Sequence, residues 1–446
     1  MGVKNISIVT LGCSKNEIDS ELMMGLLRKN NYIITNSLEK ADIIIINTCC
    51  FIQDAKEESI ETIWEMTKYK NTGNCKYLIL AGCLAERYSK ELLKEINEVD
   101  AIIGTGNIKD IVDVIDSLEK GEKRVEKTKN INENYLEEIK RTNFKSTEYV
   151  KISEGCNNYC SYCIIPRLRG KYRSRKIEDI IKEVSYMAEN GVKEVILIAQ
   201  NTADYGIDLY GDYKLAELLK ELNAIKNLQW IRLLYLYPDN FTDDLIYAIK
   251  TNEKVVKYVD IPLQHISNPI LNKMNRKTSK EDIINLISKL RKEIPNIIIR
   301  TTFIVGFPGE EEIHFQELYN FVKNIKFDKL GVFTYSREEG TPAYNFDSQV
   351  EEIVKQNRRN KLMELQQKIS YELNQQKIGK VYLTLVEEIC EEGIYIGRTY
   401  MDSPEIDGFV YIYSNKELDL GEYVYVKIID CLEYDLIGEM VDEFSK

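Results

Sequence analysis

At 446 residues the chain is longer than one hydrophobic core usually serves, so two or three domains are expected. Hydrophobic content of 44% with charged content of 30% is that of an ordinary globular protein, and no apolar run approaches the roughly 20 residues that a membrane-spanning helix needs. A formal net charge of -12 speaks against a protein whose main work is gripping phosphate backbones, although it leaves RNA contact open.

In chain order, the first third alternates strand and helix signals. The opening MGVKNISIVTLG lacks the charged, apolar and small-residue succession of a secretory signal, so a cytoplasmic location with no membrane partner is expected. Strands are expected at ISIVTLG, YIITNS, ADIIIINTC, KYLILAGC and DAIIGTG, with helices between them and a last one through IKDIVDVIDSLEK. Near-continuous apolar strands such as Ile43 to Ile46 need cover on both faces, which predicts an open parallel sheet carrying helices. We place this α/β domain at 1–120. The polar, charged stretch from Leu118 to about Ser146 has no apolar periodicity and predicts a linker, placed at 121–146.

A second alternating series begins at Tyr149, with strands at YVKIS, VKEVILIAQ, LQWIRLLYLYP, VVKYVDIPLQ, IIIRTTFIVG and FDKLGVFTY. Six strand-helix repeats predict a partial barrel of the triosephosphate-isomerase kind, a (β/α)6 unit whose chemistry collects at the C-terminal strand ends. With the long polar helix that trails it, this domain is placed at 147–375. Short alternating runs punctuated by Gly (VYLTLVEE, GIYIGRTY, GFVYIY, EYVYVKIID, LIGEMV) then predict a small all-β barrel at 376–446.

Ten cysteines in a chain without a secretory signal point to metal or catalytic roles, because the cytosol keeps thiols reduced. The strongest local pattern is Cys156-Asn-Asn-Tyr-Cys160-Ser-Tyr-Cys163, directly after the strand YVKIS. Three thiolates in eight residues can hold three irons of a cubane cluster and leave the fourth open. The plainer alternative is a zinc knuckle, but structural zinc wants four ligands and neither His265 nor His314 lies nearby in sequence. A second trio is spread over the first domain: Cys13, Cys49 and Cys83 close the strands ISIVTLG, ADIIIINT and KYLILAG. C-terminal strand ends of an open α/β sheet share one rim, where residues remote in sequence converge. Any one of the three can be an ordinary buried thiol, whereas three at equivalent positions point to a cluster. Cys50, Cys75, Cys390 and Cys431 are expected to be structural.

CxxxCxxC after the first barrel strand resembles the signature of the radical S-adenosylmethionine enzymes, and Tyr162 matches the aromatic usual between the last two cysteines. That resemblance implies a [4Fe-4S] cluster whose open iron is chelated by the amino acid moiety of S-adenosylmethionine, and one-electron cleavage of the cofactor to a 5'-deoxyadenosyl radical. Thr302-Phe-Ile-Val-Gly306-Phe-Pro308-Gly309 resembles the family's later glycine motif, which places Gly306, Pro308 and Gly309 at the cofactor. Gln200 and Asn201, at the end of VILIAQ, and Arg300, before Thr302, fall where cofactor contacts are expected, though each can equally be a barrel-capping polar residue. His265 ends a strand as well, with a hydrogen-bonded strand-end role as its alternative. No catalytic residue is assigned beyond the clusters.

Two open clusters in one chain resemble the methylthiotransferase family. By that resemblance Cys13, Cys49 and Cys83 hold a second [4Fe-4S] cluster that handles sulfur, Cys156, Cys160 and Cys163 hold the radical cluster, and the β module is the recognition domain called TRAM. The family divides mainly between modification of an adenosine beside the tRNA anticodon and modification of the β-carbon of an aspartate in ribosomal protein S-twelve, free or on the small subunit. The segments LGCSKNEIDSE, KISEGCN, RLLYLYPDN, YVDIPLQHIS and GRTYMDSPEIDG resemble the second branch more closely; Ser14, where that branch often has Pro, and Cys50, where it usually has Gly, depart from it. Charge agrees: Lys377 to Asp442 holds fifteen acidic residues against five basic ones, a surface that repels RNA phosphates and attracts a basic ribosomal protein, its plainer alternative being a merely solubilising surface. Against it stands the basic run Arg167, Arg169, Lys171, Arg173 and Arg175, which can contact RNA, cofactor and substrate carboxylates or only solvent; carboxylates are the expectation, because the run borders the site. A low-potential electron donor is the further partner implied. The alternatives are a tRNA methylthiotransferase, and an iron–sulfur carrier or scaffold, for which barrel and recognition module would be superfluous.

Overall fold

The computed structural model describes residues 4–131, 141, 142 and 144–442; part of the expected linker and the last four residues of the expected β module lie outside them. Two compact units emerge, one of Met1–Asn143, Lys151–Asp179 and Glu338–Tyr344, the other of Phe144–Val150, Ile180–Arg337 and Asn345–Lys446.

The first unit is built on a six-stranded parallel sheet in the order β2-β1-β3-β4-β5-β6, formed by β1 (Asn5–Thr10), β2 (Ile33–Ile34), β3 (Ile43–Thr48), β4 (Tyr77–Ala81), β5 (Ala101–Ile103) and β6 (Val125–Lys127). Every residue of β3 is buried, as its unbroken isoleucines require. Register follows from the parallel ladders, with Asn47 opposite Thr10 on one side and Ala81 on the other, so three strand ends finish level. The stretch expected as linker differs in one respect. Val125 is buried and β6 adds to the sheet edge beside β5, since a single buried side chain suffices to seat an edge strand that leaves no periodic signal. After β7 (Thr147–Lys151) the chain makes a two-residue antiparallel ladder, β8 (Ser153–Glu154) with β9 (Arg173–Ser174). That ladder ties off a loop containing the CxxxCxxC motif and a short helix, Ile165–Arg169, started by Pro166.

In the second unit β7 edges a six-stranded sheet in the order β14-β13-β12-β11-β10-β7, open rather than closed. Its other strands are β10 (Glu194–Ile198), β11 (Trp230–Leu233), β12 (Val255–Asp260), β13 (Ile298–Val305) and β14 (Lys329–Thr334). Amphipathic helices such as Leu215–Asn223 and Lys280–Glu293 alternate with them, the latter opened by a Ser279–Asp282 capping box. The long helix Glu352–Gln375 leads to a closed barrel of β15 (Val381–Glu391), β16 (Ile394–Thr399), β17 (Val410–Tyr413), β18 (Tyr423–Cys431) and β19 (Leu436–Val441), in the order β15-β16-β17-β19-β18. Closure removes the free edges that short strands would otherwise expose.

A seam of buried ions joins this barrel to the sheet. Glu194, fully buried, accepts from Arg232 Nε at 2.7 Å and Arg398 Nη2 at 2.6 Å. Lys329 reaches Asp402 at 2.5 Å, Tyr258 donates to Asp407 at 2.6 Å, and Arg232 donates to the Tyr400 carbonyl at 2.8 Å. Four of these partners lie in the segment GRTYMDSPEIDG, whose role as the joint was not visible in the sequence.

Candidate functional site

The level ends of β1, β3 and β4 carry Cys13, Cys49 and Cys83. Cys13 is the N-cap residue of helix Ser14–Lys29, Cys49 follows β3 directly, and Cys83 sits in the first turn of helix Gly82–Arg87 rather than closing its strand. Two glycines make the approach possible. Gly12 and Gly82 both have φ near +90°, and a Cβ on Gly12 would stand 2.9 Å from Cys49 Sγ, while one on Gly82 would stand 2.3 Å from Asn47 Oδ1. Amides and hydroxyls then stitch the rim. Asn16 Nδ2 donates to the carbonyls of Leu11 (2.9 Å) and Thr48 (3.1 Å), Asn47 Nδ2 donates to the carbonyl of Asn16 (2.8 Å), and Thr48 Oγ1 donates to the carbonyl of Ala81 (2.6 Å). The Ser59 hydroxyl accepts from Cys49 N at 3.0 Å and donates to Cys49 O at 2.9 Å.

Cys49 and Cys83 are each 7% exposed, and burial pushes both thiols up. Each also feels Cys13, so the three sulfurs share one electrostatic neighbourhood, and the positive charge of Arg169 acts on both in the opposite direction. Soft sulfur donors whose burial disfavours a bare thiolate suit a metal centre, because the cation supplies the missing charge. Among the described residues no three His, Cys, Asp or Glu side chains are placed to hold a single metal ion; a cubane instead spreads three thiolates over three irons.

The second trio is local. Cys160 is buried and Cys156 and Cys163 are half-buried on a loop where Cys163 N donates to Cys160 O (3.0 Å) and Cys156 N donates to Gly170 O (3.1 Å). Tyr159 stands out, 55% exposed with a positive φ. Arg169, at the end of the following helix, corrects the expectation for the basic run. It is 2% exposed and meets the chain's own carboxylates, Asp19 at 3.0 Å and Glu154 at 3.1 Å. Arg175, also buried, donates to the Lys151 carbonyl at 3.0 Å, and Arg173 to the Lys171 carbonyl at 2.6 Å; Arg167 and Lys171 remain exposed. The charge count of this run could not distinguish buried guanidiniums from a docking face.

In the second unit, Gln200 and Asn201 follow β10 at its C-terminal end, and Asn201 Oδ1 accepts from Ala203 N and Tyr237 N, both at 3.2 Å. Arg300 lies inside β13, opposite Asp260 on β12, bonded to it at 3.0 Å and 3.4 Å from Asp407. The structure thus places Arg300 in the seam. Gly306, Pro308 and Gly309 form the turn after β13. Glu310 accepts from Gly306 N at 2.7 Å and pairs with Arg358 at 2.9 Å, and Gly309 N donates to Ser348 O at 2.9 Å. Burial pushes Glu310 up to about 7, against the pull of Arg358. Behind it His265, fully buried, is driven down to about 3 by burial, with Nδ1 accepting from Ser267 N at 3.0 Å.

Of the other cysteines, Cys50 and Cys75 lie in the core of the first unit, where burial raises them to about 12 and about 11. Cys431 is buried and Cys390 exposed in the β barrel. Residues that sequence reasoning missed include Asn16, Asn47, Thr48, Ser59 and Glu310. The repeated Gly-Cys pair at 12–13 and 82–83, together with Asn-Thr-Cys at 47–49, was the available signal.

Three family profiles match successive parts of the chain: "Uncharacterized protein family UPF0004" over residues 5–104, "Radical SAM superfamily" over 150–322 and "TRAM domain" over 378–441. The radical SAM match carries with it a [4Fe-4S] cluster and S-adenosylmethionine. Among solved structures, the radical S-adenosylmethionine methyltransferase TsrM from Kitasatospora setae superposes with a TM-score of 0.57 at 12% identity, over 86% of this chain and 81% of that one, a likeness of fold alone. Curated relatives are much nearer. A protein of Acetivibrio thermocellus named "Ribosomal protein uS12 methylthiotransferase RimO" is 51% identical across 99% of this chain and 100% of its own length. One of the same name from Thermoanaerobacter sp. is 53% identical across 98% of this chain and 100% of its own. With β module, radical motif and N-terminal sheet all accounted for by these relatives, the chain belongs to the RimO family of radical S-adenosylmethionine methylthiotransferases.

Proposed function

We propose that this chain places a methylthio group on the β-carbon of an aspartate in ribosomal protein uS12, free or on the small subunit. The observation that carries the reading is the presence of both cysteine trios in one compact unit, in a chain that RimO relatives match end to end. In this reading Cys156, Cys160 and Cys163 ligate the radical cluster and Cys13, Cys49 and Cys83 ligate a second [4Fe-4S] cluster that handles sulfur. When bound, the reduced cluster with S-adenosylmethionine supplies a carbon radical able to break an unactivated C–H bond, for which no general base would serve.

The chain's own residues do the rest. Glu310 holds the N–H of Gly306 and so shapes the turn that, with Pro308 and Gly309, lines the cofactor side; Gln200 and Asn201 line the C-terminal end of β10. Asn16, Asn47 and Thr48 keep the rim of the first trio in register. We assign sulfur handling to 1–120, a linker to 121–146, radical chemistry to 147–375 and recognition to 376–446. Exposed carboxylates on the β module, among them Glu388, Glu391, Glu392 and Glu433, give it the sign to steer a basic protein. A cytoplasmic setting and a low-potential electron donor complete the reading; among the described residues no helix is long and apolar enough to cross a membrane.

The test is an acceptor assay. Anaerobically reconstituted protein receives S-adenosylmethionine, sulfide and a reductant, with uS12 or bulk tRNA, and the products are weighed by mass spectrometry. A methylthio gain on a uS12 aspartate is expected. A gain on tRNA adenosine alone would overturn the acceptor and leave the two-cluster chemistry standing.

A further inference from the structure

We propose that Arg169 is a positioning residue for the N-terminal cysteine trio: a guanidinium carried on the helix after the radical motif clamps the strand ends bearing Cys13 and Cys49. This rests on the reading of Cys13, Cys49 and Cys83 as cluster ligands.

The geometry has two layers. Arg169 Nη2 donates to Asn16 Oδ1 at 2.7 Å and Asp19 Oδ2 at 3.0 Å, and Nη1 donates to Glu154 Oε2 at 3.1 Å. Lys151 Nζ closes a ring on the same two acids, 2.6 Å from Asp19 and 2.9 Å from Glu154. All four charged side chains are at least 97% buried. Beyond the ring, Asn16 passes the restraint on through its Nδ2 to the carbonyls of Leu11 and Thr48, two residues before Cys13 and one before Cys49.

Desolvating four charges is expensive, and a well-packed apolar quartet is often as stable, so stability alone is a weak reason for the ring. Its components come from helix Ser14–Lys29, from β7 and β8 just before the radical motif and from the short helix just after it, so it fixes the first trio relative to the second. Lysine at 169 would keep the charge but not the planar fork that reaches Asn16, Asp19 and Glu154 together.

The experiment uses the full chain with Cys156, Cys160 and Cys163 all changed to Ala, so that any cluster signal comes from the first trio. Into this parent go R169K and R169Q, and each protein is reconstituted anaerobically. Iron and sulfide per chain, the reduction midpoint followed by electron paramagnetic resonance, and iron-free thermal melting are measured. Both variants should bind the cluster about 10- to 100-fold more weakly, as loss of a supporting partner commonly does. R169Q alone should also shift the reduction equilibrium about tenfold against the reduced form, about 59 mV more negative for one electron, because the ring is left with one uncompensated carboxylate. If R169Q does not fold, R169K carries the test through its loading. A parent that holds no iron overturns the ligand reading and the proposal with it. A parent that holds iron while R169K and R169Q match it in loading and potential overturns the proposal alone.

Discussion

The two cysteine trios solve one problem in opposite ways. Cys156, Cys160 and Cys163 are gathered by eight residues of one loop, so their spacing is written in the sequence and survives small shifts elsewhere. Cys13, Cys49 and Cys83 span seventy residues and meet only because β1, β3 and β4 end level, two glycines allow close approach, and amide side chains sew the carbonyls together. A locally encoded site depends on its loop, whereas a site assembled from a sheet rim depends on register and on buried polar groups that bond across it.

The largest expected effect breaks this comparison most directly. Cys160→Ala should abolish both formation of 5'-deoxyadenosine and methylthio transfer, while Cys49→Ala should abolish transfer and leave 5'-deoxyadenosine formation in place. Chromatography of the nucleoside and mass spectrometry of uS12 read the two separately. Should Cys49→Ala also lose the nucleoside, the trios are not divided by task and the contrast between them falls.

A smaller effect sharpens the contrast in stability. Asn16→Ala leaves the carbonyls of Leu11 and Thr48 and one Arg169 N–H without their partner in the interior, at a cost of roughly 1–3 kcal/mol for each group left unsatisfied. Asn157→Ala, within the local loop, removes one bond, from Tyr172 N to Oδ1 at 3.1 Å, in a residue that is itself exposed, which is worth about 1 kcal/mol. Denaturant unfolding of both variants should therefore separate them clearly. Equal losses would show that the rim is no more dependent on its stitching than the loop is on its own bonds.

The same division explains what the sequence disclosed. The parallel sheet, the open six-stranded unit and the closed β barrel were legible because apolar periodicity and Gly punctuation are local signals. Edge strand β6 was hidden because Val125 alone is buried. Arg169 and Arg175 were misread because a run of like charges carries no mark of burial, and their partners Asp19 and Lys151 are far away or unremarkable in sequence. GRTYMDSPEIDG resisted mechanistic reading for a kindred reason: Arg398, Asp402 and Asp407 find their counter-ions at Glu194, Lys329 and Arg300, on strands that precede them by 73 residues or more.

The glycine turn after β13 mixes both kinds of support, and it yields the smallest effect. Glu310 caps Gly306 N from four residues away, but Arg358, which pairs with it, comes from 48 residues on. Burial holds the Glu310 carboxyl up at about 7 against an ordinary 4.5. An acid whose pKa is raised on folding binds more protons folded than unfolded between those values, so stability falls as pH rises from about 4.5 to about 7. His265, lowered to about 3 from 6.5, works the other way and loses stability as pH falls below 6.5. Between pH 6.5 and 7.5 the folded histidine is neutral while the unfolded one sheds the rest of its proton, so its rising contribution partly offsets the Glu310 fall, which is itself less than about 1.4 kcal/mol over that unit. Glu310→Gln should remove the falling part and turn the stability profile upward with pH in that window, even though losing the pair with Arg358 lowers the whole curve. A slope unchanged in the variant would mean that Arg358 keeps Glu310 ionised throughout, and that the remote partner rather than local burial governs the turn.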